Sequence, residues 1–335
     1  MKKQIVAGGF VLFCVLSPLK ALAASFSSMY VFGDSISDTG NAFNAAKALT
    51  GTGSPPPPYF QGRISNGPNW VDYLAGDLGL DPVPVTTVTS GAFPTEGINF
   101  AFAGATTGSA NTVDPRLPAL QQEIIAFQGL LAQTGQPADP NALYVVWAGA
   151  NDFLPTQSAT FTPYTTPDAS ISNLSLALNS LVQSGAKNLM VVNLPNLGAL
   201  PLTSNTPIAE GLNNLTQSYN AQIATLIGSL GSEVNVTSVD VNTLFANAIN
   251  NPAQFGFTNV TTPCFNNNTV CASPNQYLFW DQIHPTTATH QVIANLAFNS
   301  LNSEPVKSVP EPTAVLGLLV FSALGSGRLF QRKCK

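Results

Sequence analysis

Four short apolar runs punctuate the chain, each bounded by Gly, Pro or Asn: 29–33, 143–147, 189–193 and 234–239. Runs of this length without polar alternation are the pattern of strands buried on both faces of a parallel sheet. Between them the apolar positions take helical spacing, over 117–131, 171–183 and 208–230. A last helical pattern starts at Pro285, a residue suited to a first helical position, and runs to Leu301. Strands alternating with helices predict an α/β protein, a three-layer α/β/α sandwich around a mainly parallel sheet. In that architecture functional loops gather beyond the carboxyl ends of the strands. Three tracts interrupt the pattern: Gly51–Pro58 with four consecutive prolines, the Thr/Val/Pro-rich 81–94, which reads as extended or loop, and the Thr/Pro/Ser-rich 156–167. Each lies between core elements, so they are read as insertions within one domain.

Composition sharpens the surface. The chain has 335 residues, of which 44% are hydrophobic and only 9% charged, against roughly 25% charged in an average soluble domain. Asn, Thr, Ser and Gln must supply the polar exterior. A net charge of -5 with no Lys/Arg cluster away from the two ends excludes nucleic acid as a partner.

The ends read as targeting elements. Lys2 and Lys3, an apolar stretch from Ile5 to Leu16, and Ala21-Leu22-Ala23 have the order of a signal peptide over residues 1–23; a buried first helix or membrane anchor is the competing reading. At the other end Val309-Pro310-Glu311-Pro312 precedes an apolar run to Gly327 and a basic tail. Such a segment halts export with its charges inside and makes transient membrane contact as a short transmembrane helix. Its three-part order resembles the PEP-CTERM sorting signal of Gram-negative bacteria. The resemblance implies processing by an exosortase-type enzyme and a final place outside the cell or at its surface. A permanent anchor is the alternative. The division expected is therefore signal peptide 1–23, main domain 24–301, linker 302–308 and sorting segment 309–335. Cys14 and Cys334 fall in the end segments, leaving Cys264 and Cys271 in the body. Outside the cytoplasm a close pair reads as a disulfide, or else as two free thiols, with no second Cys pair or His cluster to make a zinc site.

Candidate chemistry begins from scarcity. A serine hydroxyl needs a base, histidine has the fitting pKa, and there are two histidines. His290 falls inside the final helix, in a packing role. His284 stands at that helix's mouth with Asp281 three residues earlier, within reach of its ring and able to fix its tautomer. A capping Asp beside a chance His has the same local pattern. Gly33-Asp34-Ser35 follows the first strand directly, so Ser35 sits beyond a carboxyl end near a helix N-terminus. Its own amide is then available to a developing oxyanion; an ordinary turn would look alike. Asn151 follows the 143–147 run, and Gly104 follows 99–103; a side-chain amide and a bare backbone N–H at these places are candidate oxyanion donors. Asp34 reads as ordering the turn, Asp152 as a helix cap, Arg63 as half of an ion pair with a nearby Asp, and Trp147 and Trp280 as packing.

Gly33-Asp34-Ser35, Gly104, Gly149-x-Asn151-Asp152 and Asp281-x-x-His284, in that order, resemble the four sequence blocks of the GDSL or SGNH hydrolase family. The stretches 34–41, 62–67 and 279–281 are similar to its larger lipase-type members. Ile36 replaces the family's Leu, and Ala103 stands where many relatives have a second glycine. The resemblance implies a flavodoxin-like fold and a serine esterase or lipase acting on ester or lipid substrates, with no metal or cofactor. It places Ser35 as nucleophile, His284 as base and Asp281 as its orienting acid. The Ser35 and Gly104 amides and the Asn151 side chain make up the oxyanion hole. Acyl transfer and polysaccharide deacetylation would use the same residues. A cell-surface binding protein is the reading from another class.

Overall fold

A glycine lets the first strand end hard against its neighbour. In the computed structural model, which describes residues 25–89, 94–232 and 234–303, β1 spans Met29–Gly33 and pairs in parallel with β4, Leu143–Trp147. Gly33 lies opposite Trp147 at φ +151°, where a Cβ would come within 2.1 Å of the Trp147 carbonyl oxygen. Only glycine fits there. β2 (Val83–Pro84) and β3 (Gly97–Asn99) lie on one side of β1, and β5 (Asn188–Val192) and β6 (Asn235–Val239) lie beyond β4. The order is β2-β3-β1-β4-β5-β6, and every pairing in this sheet is parallel.

The helices are α1 (Asn41–Thr50), α2 (Trp70–Leu78), α3 (Leu120–Thr134), α4 (Ala150–Phe153), α5 (Asp168–Ser184), α6 (Ala209–Ser229), α7 (Val241–Asn250) and α8 (Thr287–Asn302). α3, α5 and α6 pack side by side, and α2 pairs with α8. Right-handed crossovers place these two groups on opposite faces of the sheet, which is the expected three-layer sandwich. Connections leave β1 in one direction and reach β4 from the other, so the topological switch point lies between these two strands. Beneath it an aromatic cluster fills the core: Phe32 stacks on Phe100 at 5.2 Å, and Phe127 meets both edge-on. All three are fully buried, each contributing about 1.5–3 kcal/mol of transfer free energy.

Several element bounds shift, while the paired cysteines follow the expectation. The third helix begins at Leu120, not Leu117, because Pro118 keeps the chain extended until the Gln122 side chain accepts from Ala119 N at 3.2 Å. The last helix begins at Thr287, not Pro285, because Thr286 takes the cap and its hydroxyl accepts from Thr289 N. That helix runs one residue into the expected linker. The tract 81–94 contains β2 and a helical turn over Val85–Thr87. Cys264 and Cys271 form a disulfide, closing the β7–β8 hairpin (Phe265–Asn266 and Thr269–Val270). The signal peptide, the sorting segment, Cys14 and Cys334 lie outside the described residues. Among the described residues no helix is long and apolar enough to cross a membrane.

Candidate active site

Beyond the carboxyl ends of β1 and β4 opens a cavity of about 480 Å³, lined by Ser35, Gly104, Asn151 and His284 among mostly apolar neighbours. Asp34 builds the turn around Ser35. Its carboxylate accepts from Ile36 N at 3.1 Å, and its carbonyl accepts from Ser37 N and Asp38 N. Asp281 builds the second turn in the same way, its Oδ1 accepting from Ile283 N at 2.9 Å and His284 N at 2.8 Å. The His284 ring then has Nδ1 2.9 Å from both Asp281 oxygens and Nε2 2.8 Å from Ser35 Oγ. An ionised carboxylate only accepts, so Nδ1 carries the proton and Nε2 accepts from the Ser35 hydroxyl.

The charges support that assignment. Burial pushes the Asp281 carboxyl up, but the facing His284 and three hydrogen bonds outweigh it, and the net displacement is below its ordinary 3.8. For His284 burial acts downward and is outweighed by Asp281, helped by Asp34, so the imidazole lies above 6.5. Asp34 itself is pushed up to about 6, chiefly by burial.

Three residues with N–H donors, Ser35, Gly104 and Asn151, line this cavity. Neither Ser35 N nor Gly104 N has an intramolecular acceptor among the described residues. Gly104 stands at φ +83°, where a Cβ would meet Asn111 Oδ1 at 2.5 Å; its carbonyl is held by Thr112 N at 2.8 Å. Asn151 Nδ2 donates to Ala105 O at 3.0 Å and reaches Asp34 Oδ2 only at 3.4 Å, so its second N–H is weakly engaged. Preorganised donors of this kind are the usual means of stabilising an oxyanion.

The remaining expectations divide. Arg63 pairs with Asp72 at 2.6 Å, in the structural role read for it. Its segment props the base: Ser65 Oγ donates to Pro285 O, and Asn66 Oδ1 accepts from Thr287 N. Trp147, Trp280 and His290 are buried. Asp152 is not the cap expected; Gly149 holds that position. Asp152 is a buried tether that accepts from Thr107 N, Thr107 Oγ1 and Ser170 Oγ.

Two acids escaped the sequence reading. Asp38 accepts from the backbone N–H groups of Gly40, Asn41, Ala42 and Ala103, tying the loop after β1 to the one after β3. Glu123 accepts from Gly33 N at 2.8 Å and Phe102 N at 3.2 Å, joining the same loops from below. Burial pushes the Glu123 carboxyl well up. A signal for Glu123 existed: it falls on the buried face of α3 with Leu120, Ile124 and Phe127, where an acid needs a partner.

Known proteins resemble this chain over most of its length. A family model described as GDSL-like Lipase/Acylhydrolase matches residues 29–297. An uncharacterized protein of the trpE-trpG intergenic region of Pseudomonas putida is 31% identical over 84% of this chain; the chain spans 50% of that protein's length. A GDSL esterase/lipase of Arabidopsis thaliana is 29% identical over 85% of this chain and 91% of its own. A phosphatidylcholine-sterol acyltransferase of Aeromonas hydrophila is 25% identical over 84% and 91%.

Proposed function

We infer that this chain, which belongs to the GDSL-like lipase/acylhydrolase family, is a serine hydrolase of carboxylic esters that works through an acyl-enzyme on Ser35. The observation that carries the reading is the 2.8 Å contact from Ser35 Oγ to His284 Nε2, with Nδ1 held by Asp281. As Oγ attacks the ester carbonyl, His284 takes its proton, and Asp281 stabilises the imidazolium. The negative charge that develops on the carbonyl oxygen goes to Ser35 N, Gly104 N and Asn151 Nδ2. His284 then returns the proton to the leaving alkoxide, and a water activated by the same ring hydrolyses the acyl-serine.

The substrate is an ester with an apolar acyl chain. Ile36, Leu154, Leu194, Leu197, Leu200 and Phe245 line the cavity around the serine, and such walls favour hydrocarbon over a sugar. The test is release of acid from p-nitrophenyl esters of graded chain length by the full chain and by Ser35→Ala. Hydrolysis that rises from acetyl to longer acyl groups and is lost in the variant is expected. A strict preference for acetyl contradicts the substrate assignment, and activity retained by Ser35→Ala contradicts the mechanism.

Acyl transfer is a second reading, favoured by the similarity to the Aeromonas hydrophila acyltransferase. An alcohol in place of water would then take the acyl group from Ser35, and product analysis with an added alcohol separates the two. Export belongs to the same proposal. It is supported by the basic-apolar-small order of residues 1–23 and by the Cys264–Cys271 disulfide, a bond that persists in oxidising compartments. Processing of segment 309–335 by an exosortase-type enzyme, with release or attachment at the cell surface, completes it.

A further inference from the structure

Asp281 has a partner on its far side that the catalytic reading does not use. Its Oδ1 is occupied by two backbone amides. Its Oδ2, free of backbone donors, accepts from the Tyr59 hydroxyl at 3.0 Å, across 222 residues of sequence. Besides His284, Tyr59 is the side-chain donor to Asp281 among the described residues.

Tyr59 is itself held from three sides. Its ring stands edge-on to Phe265 at 5.6 Å and to Trp280 at 6.2 Å, and those two rings stack on each other at 5.4 Å. Phe265 is the neighbour of Cys264 in the disulfide-closed hairpin, and its N–H donates to Trp280 O at 2.6 Å. Trp280 N in turn donates to His284 O at 2.7 Å. Four prolines, Pro55–Pro58, precede the tyrosine, and its N–H donates to Pro56 O at 3.2 Å. A stiff tract, an aromatic wall and a cross-linked hairpin therefore converge on one hydroxyl aimed at the triad's acid.

We propose that Tyr59 is a positioning residue for ester hydrolysis, fixing the Asp281 carboxylate so that it orients His284 toward Ser35. The proposal rests on the triad reading above. With two amides on Oδ1 and a hydroxyl on Oδ2, the carboxylate cannot rotate about its Cβ–Cγ bond without breaking a charge-assisted hydrogen bond. Nδ1 of His284 is shared between both oxygens, so any such rotation moves the base. Burial, with the adjacent Asp281 charge, pushes the Tyr59 hydroxyl well above 10, and it stays a donor at every working pH. The hydroxyl also draws on the Asp281 charge that His284 feels.

The test is a double-mutant cycle of Tyr59→Phe with Asp281→Asn in the full chain, read as kcat, KM and the pH profile of kcat/KM. Phe keeps the ring and its contacts with Phe265 and Trp280, and unchanged thermal unfolding establishes that the fold is intact. Tyr59→Phe alone should lower kcat about tenfold, on the order of one charge-assisted hydrogen bond, with KM within about twofold. Its acid limb should move to higher pH, because Asp281 then bears more fully on the imidazolium. The groups facing that imidazole, Asp281, Asp34 and His290, are otherwise unchanged. In the Asp281→Asn background both effects should vanish. A silent Tyr59→Phe beside a damaging Asp281→Asn overturns the proposal alone, as does an effect of Tyr59→Phe that persists undiminished in that background. A silent Asp281→Asn overturns the triad reading and the proposal with it.

Discussion

Ser35 Oγ and His284 Nε2 lie 2.8 Å apart although 249 residues separate them in sequence. The contact needs β1 to end at Gly33 and α8 to begin just after Pro285, and each of those ends is separately braced. Asp281 completes it by setting the tautomer and raising the imidazole above 6.5. Replacing Asp281 by Asn should lower kcat by about 10⁴-fold, the scale found where an equivalent acid is removed with geometry intact. Activity requires neutral His284, so it rises as pH passes upward through the imidazole pKa. Without the Asp281 charge that pKa falls, and the acid limb of kcat/KM should move to lower pH. A pH–rate series on both proteins checks the direction.

The same pair sets a stability window. Asp281 is lowered when folded, so it contributes stability above its unfolded 3.8 that is lost as pH falls through the folded value. His284 is raised, so its contribution is complete below 6.5 and is lost as pH rises through its folded value. The gap in thermal midpoint between the wild type and Asp281→Asn should be largest between those limits and shrink on both sides.

Asn151 offers a donor to an oxyanion and little to a bound ester. Asn151→Ala should lower kcat by about 10²–10³-fold and leave KM within a fewfold. A loss confined to KM in steady-state kinetics would place the side chain in substrate binding instead.

Glu123 joins the two loops that carry Ser35 and Gly104. Glu123→Gln keeps the shape but turns an NH₂ toward Gly33 N or Phe102 N, leaving a buried donor facing a donor. A cost of about 1–3 kcal/mol is expected, measurable as a lower urea midpoint with unchanged slope. Because Gly33 N is two residues from Ser35, kcat should fall as well.

The disulfide closes a short loop, with partners seven residues apart. Replacing both cysteines by serine should cost about 2–3 kcal/mol on the chain-entropy estimate. Equilibrium unfolding gives the value. If the hairpin also steadies Phe265 and Trp280 beneath Asp281, kcat should fall in the same variant.

Much of this was legible in the chain. β1 and β4 are fully buried runs closed by Gly or Trp-Ala-Gly, and they appear at the residues expected. β2 and β3 have two and three residues, too few for a pattern. α1, α2 and α7 are ten residues or fewer, and their periodicity is correspondingly brief. Ser35, Asp281 and His284 could be found because each pair of neighbours builds its own turn. Tyr59 could not: its partner lies 222 residues away, and a tyrosine after prolines has no local signature of its target. Asp38 gave no signal either, since its four backbone partners exist only once two loops meet.

The most direct measurement is covalent labelling of the folded full-length chain with a fluorophosphonate, mapped by mass spectrometry. The account predicts a single adduct, on the peptide containing Ser35, with ester hydrolysis lost in step and no labelling of Ser35→Ala. An adduct at another residue, or ester hydrolysis that survives complete labelling of Ser35, would contradict it.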